Sequence, residues 1–202
     1  MSELQREIQK TFLSLLPSWN QWRKSALYRR TEDFIQWLSL DVSNLKVAIR
    51  LNYSIQSLAV QFPAISLTIG NEIRDLENHE WWITPSNWQE QSEEITEYIL
   101  RHIQPSPVKD LTEKAILEFL NNIENNHPSV LTAQGITYIS LHDIPRGFAY
   151  LEKARNRYSE IPAPWAQTET NRLTEWLTSS PEQILDLLRK DAKKGIDILG
   201  IQ

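Results

Sequence analysis

Apolar residues along this chain follow two rhythms. Near the N-terminus Leu4, Ile8, Phe12, Leu15 and Leu16 recur at three and four, the spacing of one helical face. Ser2 and Gln5 stand ahead of them at capping-box spacing. Pro17 closes the run, because the residue before a proline avoids the helical region. The rhythm then changes. Val47, Ile49, Leu51, Tyr53 and Ile55 alternate with Ala48, Arg50, Asn52 and Ser54, a period of two that predicts a strand with one face on a core. Phe34 to Leu40 is apolar on both faces and predicts a more central strand. Asp41 to Asn44 reads as the turn of an antiparallel hairpin between the two. Ile65, Leu67 and Ile69 alternate once more before Gly70 and Asn71. Three or four antiparallel strands are expected between Ser25 and Gly70.

The stretch NHEWWITPSNWQEQ, Asn78 to Gln91, carries three tryptophans. With Thr84 as cap and Pro85 as first helical residue, Ile83 and Trp88 take the positions of a hydrophobic staple. Ile95, Ile99 and Ile103 continue the apolar face. Trp81 and Trp82 are chain neighbours in an extended segment and should point to opposite faces, one inward and one partly outward. They are the aromatic candidates for a ligand platform, set against a role in the core. The segment QPSPVKD, Gln104 to Asp110, marks a turn or linker.

Beyond it the pattern is helical. Asp110 and Glu113 frame a helix start, followed by Leu111, Ala115, Phe119, Leu120 and Ile123. Asp143 is placed to cap a further helix. Ser180, Pro181, Glu182 and Gln183 form a capping box with proline at the first helical position. Lys190, Lys193 and Lys194 fit the end of that helix, and Gly195 fits its left-handed stop. The fold class expected is α+β: an N-terminal helix, an antiparallel sheet and a closing helix over residues 1–105, then an all-helical half over 110–202. The linker is short enough for the halves to pack as one unit.

Two resemblances bear on this layout. Leu131, Gly135, Tyr138, Gly147 and Ala154 fall at the spacing of one tetratricopeptide repeat, so residues 131–154 resemble a single helical hairpin of that kind. Gln134, His142 and Leu151 depart from the pattern, which usually has leucine, glycine and an aromatic there. No second copy follows, and a solenoid needs about three. The hairpin therefore implies repeat-like packing without a peptide groove. Residues 1–105, with Tyr28, Arg30, Ile69 and Gly70 as the matching residues, resemble the bacterial family grouped as domain of unknown function 4304. That likeness implies an α+β fold and no known reaction.

Composition narrows the chemistry. The chain has no cysteine, which removes disulfides, thiolate metal sites and a cysteine nucleophile. Net charge is −5, which disfavours a global attraction to nucleic acid or anionic membranes. No apolar run could span a bilayer and no export signal opens the sequence, so a cytoplasmic location is expected. The four histidines, His79, His102, His127 and His142, are not paired at ligand spacing, and no metal is expected. The five glycines cannot build a phosphate loop. Glu93 with Glu94, and Asp75 with Glu77, are paired carboxylates that read as solvated. His142 beside Asp143 lacks the geometry of a triad.

One stretch combines charge and rings: Trp19, Trp22, Arg23, Lys24, Tyr28, Arg29 and Arg30. Such interleaving can bind phosphates or stack on bases. The competing reading has the rings filling the helix–sheet interface while basic stems cover its edge. The functional expectation is a non-catalytic protein–protein interaction protein, adaptor-like or immunity-like, with a protein partner and no cofactor. The alternatives are an enzyme with a site assembled from distant Asp, Glu and His, and a weak binder of single-stranded nucleic acid or phosphate through Trp19–Arg30.

Overall fold

The computed structural model describes all residues except 1–2, 24–25, 43–48, 62–63, 65, 67, 75–80, 82–85, 104, 108, 125 and 202. Helix α1, Glu3–Leu15, is followed by strands β1, Asn20–Trp22, β2, Ala26–Arg30, β3, Phe34–Val42, and β4, Ile49–Ser57. A single 3-10 turn, Leu58–Val60, leads towards β5, Gly70–Ile73. Helices α2, Trp88–His102, α3, Glu113–Asn121, α4, Pro128–Ser140, α5, Ile144–Ser159, α6, Pro164–Leu177, and α7, Pro181–Leu199, complete the chain. The sheet is antiparallel with strands in sequence order. The α+β expectation is met, with five described strands where three or four were expected.

Two compact units divide the chain. One comprises 1–30, 35–55 and 70–111, the other 31–34, 56–69 and 112–202. The second is more than the helical half, since it includes the turn before β3 and the segment after β4.

In the first unit Ile8, Phe12 and Leu16 are fully buried, whereas Leu15 is 41 % exposed. The inward face of α1 is therefore narrower than the apolar pattern suggested. Helix α2 packs beside α1, and its Ile95 and Ile99 are buried. Residues 35 to 38 of β3 are all buried, as a strand covered on both faces requires. Tyr28 lies directly opposite Trp37, and Trp22 opposite Ala26. The Trp22 and Trp37 rings meet at 5.0 Å, those of Tyr28 and Trp37 at 5.7 Å. Cross-strand aromatic pairs of this kind contribute about 0.5–1.5 kcal/mol each beyond area burial.

Several boundaries move. Strand β3 runs through Asp41 and Val42, which were expected in a turn; Ser43 and Asn44 lie outside the described residues. The last strand follows Gly70 instead of preceding it; Thr68 and Ile69 form a turn, and positions 65 and 67 lie outside the described residues. Helix α2 opens at Trp88 with Asn87 as its cap, so Trp88 is not a fourth-position staple residue. Ile83, Thr84 and Pro85, like Ser2, lie outside the described residues. Thr112, not Asp110, caps α3, accepting from the Ala115 N–H at 3.2 Å.

In the second unit α4 and α5 form the expected helical hairpin. A Cβ on Gly135 would lie 2.6 Å from the Leu151 side chain, and one on Gly147 would lie 2.9 Å from the Gly135 carbonyl oxygen. Only glycine permits that approach. The hairpin turn is a Schellman motif: the Asp143 N–H donates to Tyr138 and the His142 N–H to Ile139, at 2.8 and 2.9 Å. His142 consequently takes a φ of 64°, at the position where the repeat pattern carries glycine. Asp143 caps α5, its Oδ1 accepting from the Arg146 N–H at 3.3 Å. Ser180 and Gln183 complete the capping box of α7.

Gly195 does not end α7. The helix continues to Leu199, with Gly200 as the left-handed cap at φ 64°, and no basic residue lies in the last turn. A Cβ at Gly195 would overlap the backbone carbonyl of Leu58. This glycine exists for close packing of α7 on the 3-10 turn, with its backbone in an ordinary helical conformation.

Two substitutions should therefore run against helix propensity. Gly195→Ala, stabilising in an open helix, should cost about 1–3 kcal/mol through overpacking. His142→Gly should add about 1 kcal/mol by relieving left-handed strain. Equilibrium urea unfolding reads both, and an upward shift in midpoint for Gly195→Ala would contradict the close approach of α7 to Leu58.

Candidate functional site

The stretch from Trp19 to Arg30 spans β1 and β2. Trp19, Trp22, Tyr28 and Arg29 are buried, and Arg23 and Arg30 are exposed. Lys24 lies outside the described residues. Arg23 adopts φ 50° and places its guanidinium 4.1 Å from the Trp22 ring centre.

Arg29 donates from three of its side-chain nitrogens. Its Nε donates to Gln36 Oε1 at 2.5 Å, Nη1 to the Lys109 carbonyl at 2.5 Å and Nη2 to the Ser106 carbonyl at 2.5 Å. Trp19 Nε1 donates to the Pro107 carbonyl at 2.9 Å, and Gln36 Nε2 to the Pro105 carbonyl at 3.0 Å. Three side chains from the start of the chain thus hold four carbonyls of the segment QPSPVKD. The chemistry fits: two prolines deny this segment regular backbone pairing, so its acceptors need side-chain donors. Arginine supplies donors in a fixed fork and no acceptor. Burial pulls the Arg29 pKa down to about 10, with Tyr53 and Asp110 opposing. Burial also raises the pKa of the Tyr53 hydroxyl. The guanidinium is committed to the protein's own backbone and binds this segment in the way a ligand would be bound.

Trp81 is half-buried, its ring edge-on to Tyr98 at 6.2 Å, and Tyr98 lies 4.5 Å from the His102 ring. Trp82 lies outside the described residues, as do His79, Asp75 and Glu77. Glu93 and Glu94 are exposed on α2. His127 caps α4, its Nδ1 accepting from the Ser129 N–H at 3.3 Å, and burial lowers its pKa. Among the described residues, no three His, Asp or Glu side chains are grouped to hold a metal ion.

Among the described residues of the second unit, Asp33 and Asp191 are buried and Glu169 is half-buried. Asp33 accepts from the Ser140 hydroxyl at 2.5 Å; burial raises its pKa, partly offset by that hydrogen bond. Glu169 is paired with Arg172 at 3.0 Å, and Arg172 also donates to the Val60 carbonyl at 2.6 Å. Burial raises the Glu169 pKa and Arg172 opposes it. Asp191 accepts from Trp176 Nε1 at 3.1 Å and from Lys194 Nζ at 2.9 Å, so all three acids have structural partners.

The outer side of α5 has a different character. Arg146, Lys153 and Arg157 are exposed and Tyr150 is half-buried. Tyr150 stacks on Tyr138 of α4 at 5.3 Å and 24°. The Arg146 guanidinium lies 5.0 Å from the Tyr138 ring centre, and the Lys153 ammonium lies 5.0 Å from that of Tyr150. Leu141, at the end of α4, is 41 % exposed, and Trp165, in the first turn of α6, is 55 % exposed. Trp165 rests edge-on against Tyr158 at 6.1 Å. None of these residues is among the candidates that the sequence pattern singles out. The spacing of Arg146, Tyr150, Lys153 and Arg157 by four, three and four was the available signal.

Comparison with models of protein families, with curated proteins and with solved structures finds no match for this chain. No helix among the described residues is long and apolar enough to cross a membrane.

Two outcomes follow from the buried polar groups. Arg29→Lys keeps the charge but loses the fork, and Arg29→Ala orphans several acceptors; the costs should be about 1–3 and about 3–5 kcal/mol. The peptide bond after Lys109, whose carbonyl Arg29 holds, should become a faster tryptic site in both. Unchanged cleavage there would refute the clamp. His127 titrates below its ordinary 6.5, so its contribution is present above that value and lost as pH falls through the lowered folded value. Urea midpoints of wild type should therefore drop more steeply below about pH 6.5 than those of His127→Asn, which keeps a capping oxygen.

Proposed function

We propose that this chain is a non-catalytic cytoplasmic protein that works through a protein–protein surface on α4, α5 and α6, in an adaptor-like or immunity-like role. The observation that carries the reading is the exposure of Trp165, at 55 %, in a molecule whose Trp37 and Trp176 are fully buried. A tryptophan held against Tyr158 is a rigid aromatic anchor, the residue type that dominates binding energy at protein interfaces. Leu141 and the half-buried Tyr150, which stacks on Tyr138, add apolar and aromatic area on the neighbouring α4–α5 hairpin. Arg29, Asp33 and Glu169 are each engaged by neighbouring side chains or backbone, which suits scaffolding.

Photo-crosslinking in the producing cells tests this. A benzophenone amino acid replacing Trp165, or separately Leu141, should yield an adduct with the same protein at both positions, and none when placed at exposed Glu93 on α2. No discrete adduct at either position would overturn the reading.

A further inference from the structure

We infer that the outer stripe of α5 is the docking site for an acidic segment of the partner protein; this rests on the interaction role proposed above and names the chemistry of what binds. Helix α5 carries Arg146, Lys153, Arg155 and Arg157 against one carboxylate, Glu152, in a chain whose net charge is −5. The basic character is local and opposes the composition. Arg146, Tyr150, Lys153 and Arg157 share one helical stripe, with cations about 10 Å and about 6 Å apart along the axis from the rise per residue.

Two of these cations are already placed. Arg146 lies over Tyr138 and Lys153 over Tyr150, while the two rings stack on each other. A ring beneath a cation restricts its side chain before any partner arrives, which lowers the ordering cost of binding. The surrounding carboxylates are weak competitors. Asp143 lies 3.4 Å from Arg146 and Glu160 lies 3.5 Å from Arg157, both in exposed pairs; Glu152 turns to Arg155 at 3.7 Å. Exposed pairs of this kind contribute little and are readily exchanged for an incoming carboxylate.

The same geometry favours a peptide over a nucleic acid. Stacking on a base needs an open ring face. Each tyrosine already has the other ring and a cation against it, and Tyr138 is buried. A long polyanion would also face the repulsion of the acidic whole, whereas a short segment presenting a few carboxylates meets the stripe alone.

Fluorescence anisotropy with a labelled hexaglutamate peptide at low ionic strength provides the test. Saturable binding that weakens with added salt is expected, and the triple variant Arg146→Gln/Lys153→Gln/Arg157→Gln should weaken it about tenfold or more. The triple variant Lys10→Gln/Lys190→Gln/Lys193→Gln makes the same change in net charge at exposed positions elsewhere and should leave affinity unchanged. Tyr150→Leu, which keeps every cation but removes the ring beneath Lys153, should lower affinity a few-fold. Far-UV circular dichroism and urea midpoints establish that the variants fold. Absence of saturable binding, equal loss in both triple variants, or tighter binding to a labelled oligothymidylate would each overturn the inference. Crosslinked adducts at Trp165 and Leu141 alongside failed hexaglutamate binding would sink this inference and leave the interaction role standing. Failed crosslinking alongside selective binding would do the reverse.

Discussion

Arg29 sits on β2 with its guanidinium out of water and three of its nitrogens donating to Gln36, Ser106 and Lys109. The first unit depends on that arrangement, because a segment containing two prolines must pass over a sheet without pairing with it. An uncompensated cation there would be costly, and so would the orphaned carbonyls. Each problem solves the other. Trp19 and Gln36 extend the same solution to Pro107 and Pro105. Trp19 and Arg29, two of the residues that resembled a phosphate- or base-binding patch, are therefore used to bind the protein's own backbone, while Arg23 and Arg30 stay exposed.

The second unit is organised by close backbone approach. Gly135 and Gly147 let α4 and α5 meet, and Gly195 lets α7 meet Leu58. Helix α4 has no charged residue and is buried along nearly its whole length, and α3, α5 and α7 pack against it. Helix α5, in contrast, keeps one face on α4 and turns its cations outward. The interaction reading follows from that asymmetry: a packed interior fixes the hairpin, and the hairpin displays ordered rings and cations. The Asp33–Ser140 and Glu169–Arg172 pairs strengthen this interior by satisfying its polar groups.

Much of the architecture was legible along the chain. The α+β class, the Phe34 strand buried on both faces, the α4–α5 hairpin, the Asp143 cap and the Ser180 capping box all depend on residues within a few positions of one another. The misplacements share a cause. Gly195 looked like a helix stop because its neighbours could not reveal that Leu58 lies against it. Leu15 looked interior because periodicity gives a stripe and not its width. The strand near Gly70 was set too early because short apolar alternation does not fix which residues pair with β4.

The candidate site divides along the same line. Sequence by itself determined the α+β class, several of the elements and some of their caps, and that thiolate and phosphate-loop chemistry are excluded. Those properties follow from short-range sterics, local hydrogen bonding and residue type. Only the tertiary structure decided that Arg29 is a clamp, that Trp165 is exposed while Trp176 is buried, and that Tyr138 and Tyr150 stack beneath two cations. Whether a ring or a charge meets water or protein depends on residues far away in the chain, and no local pattern carries that information.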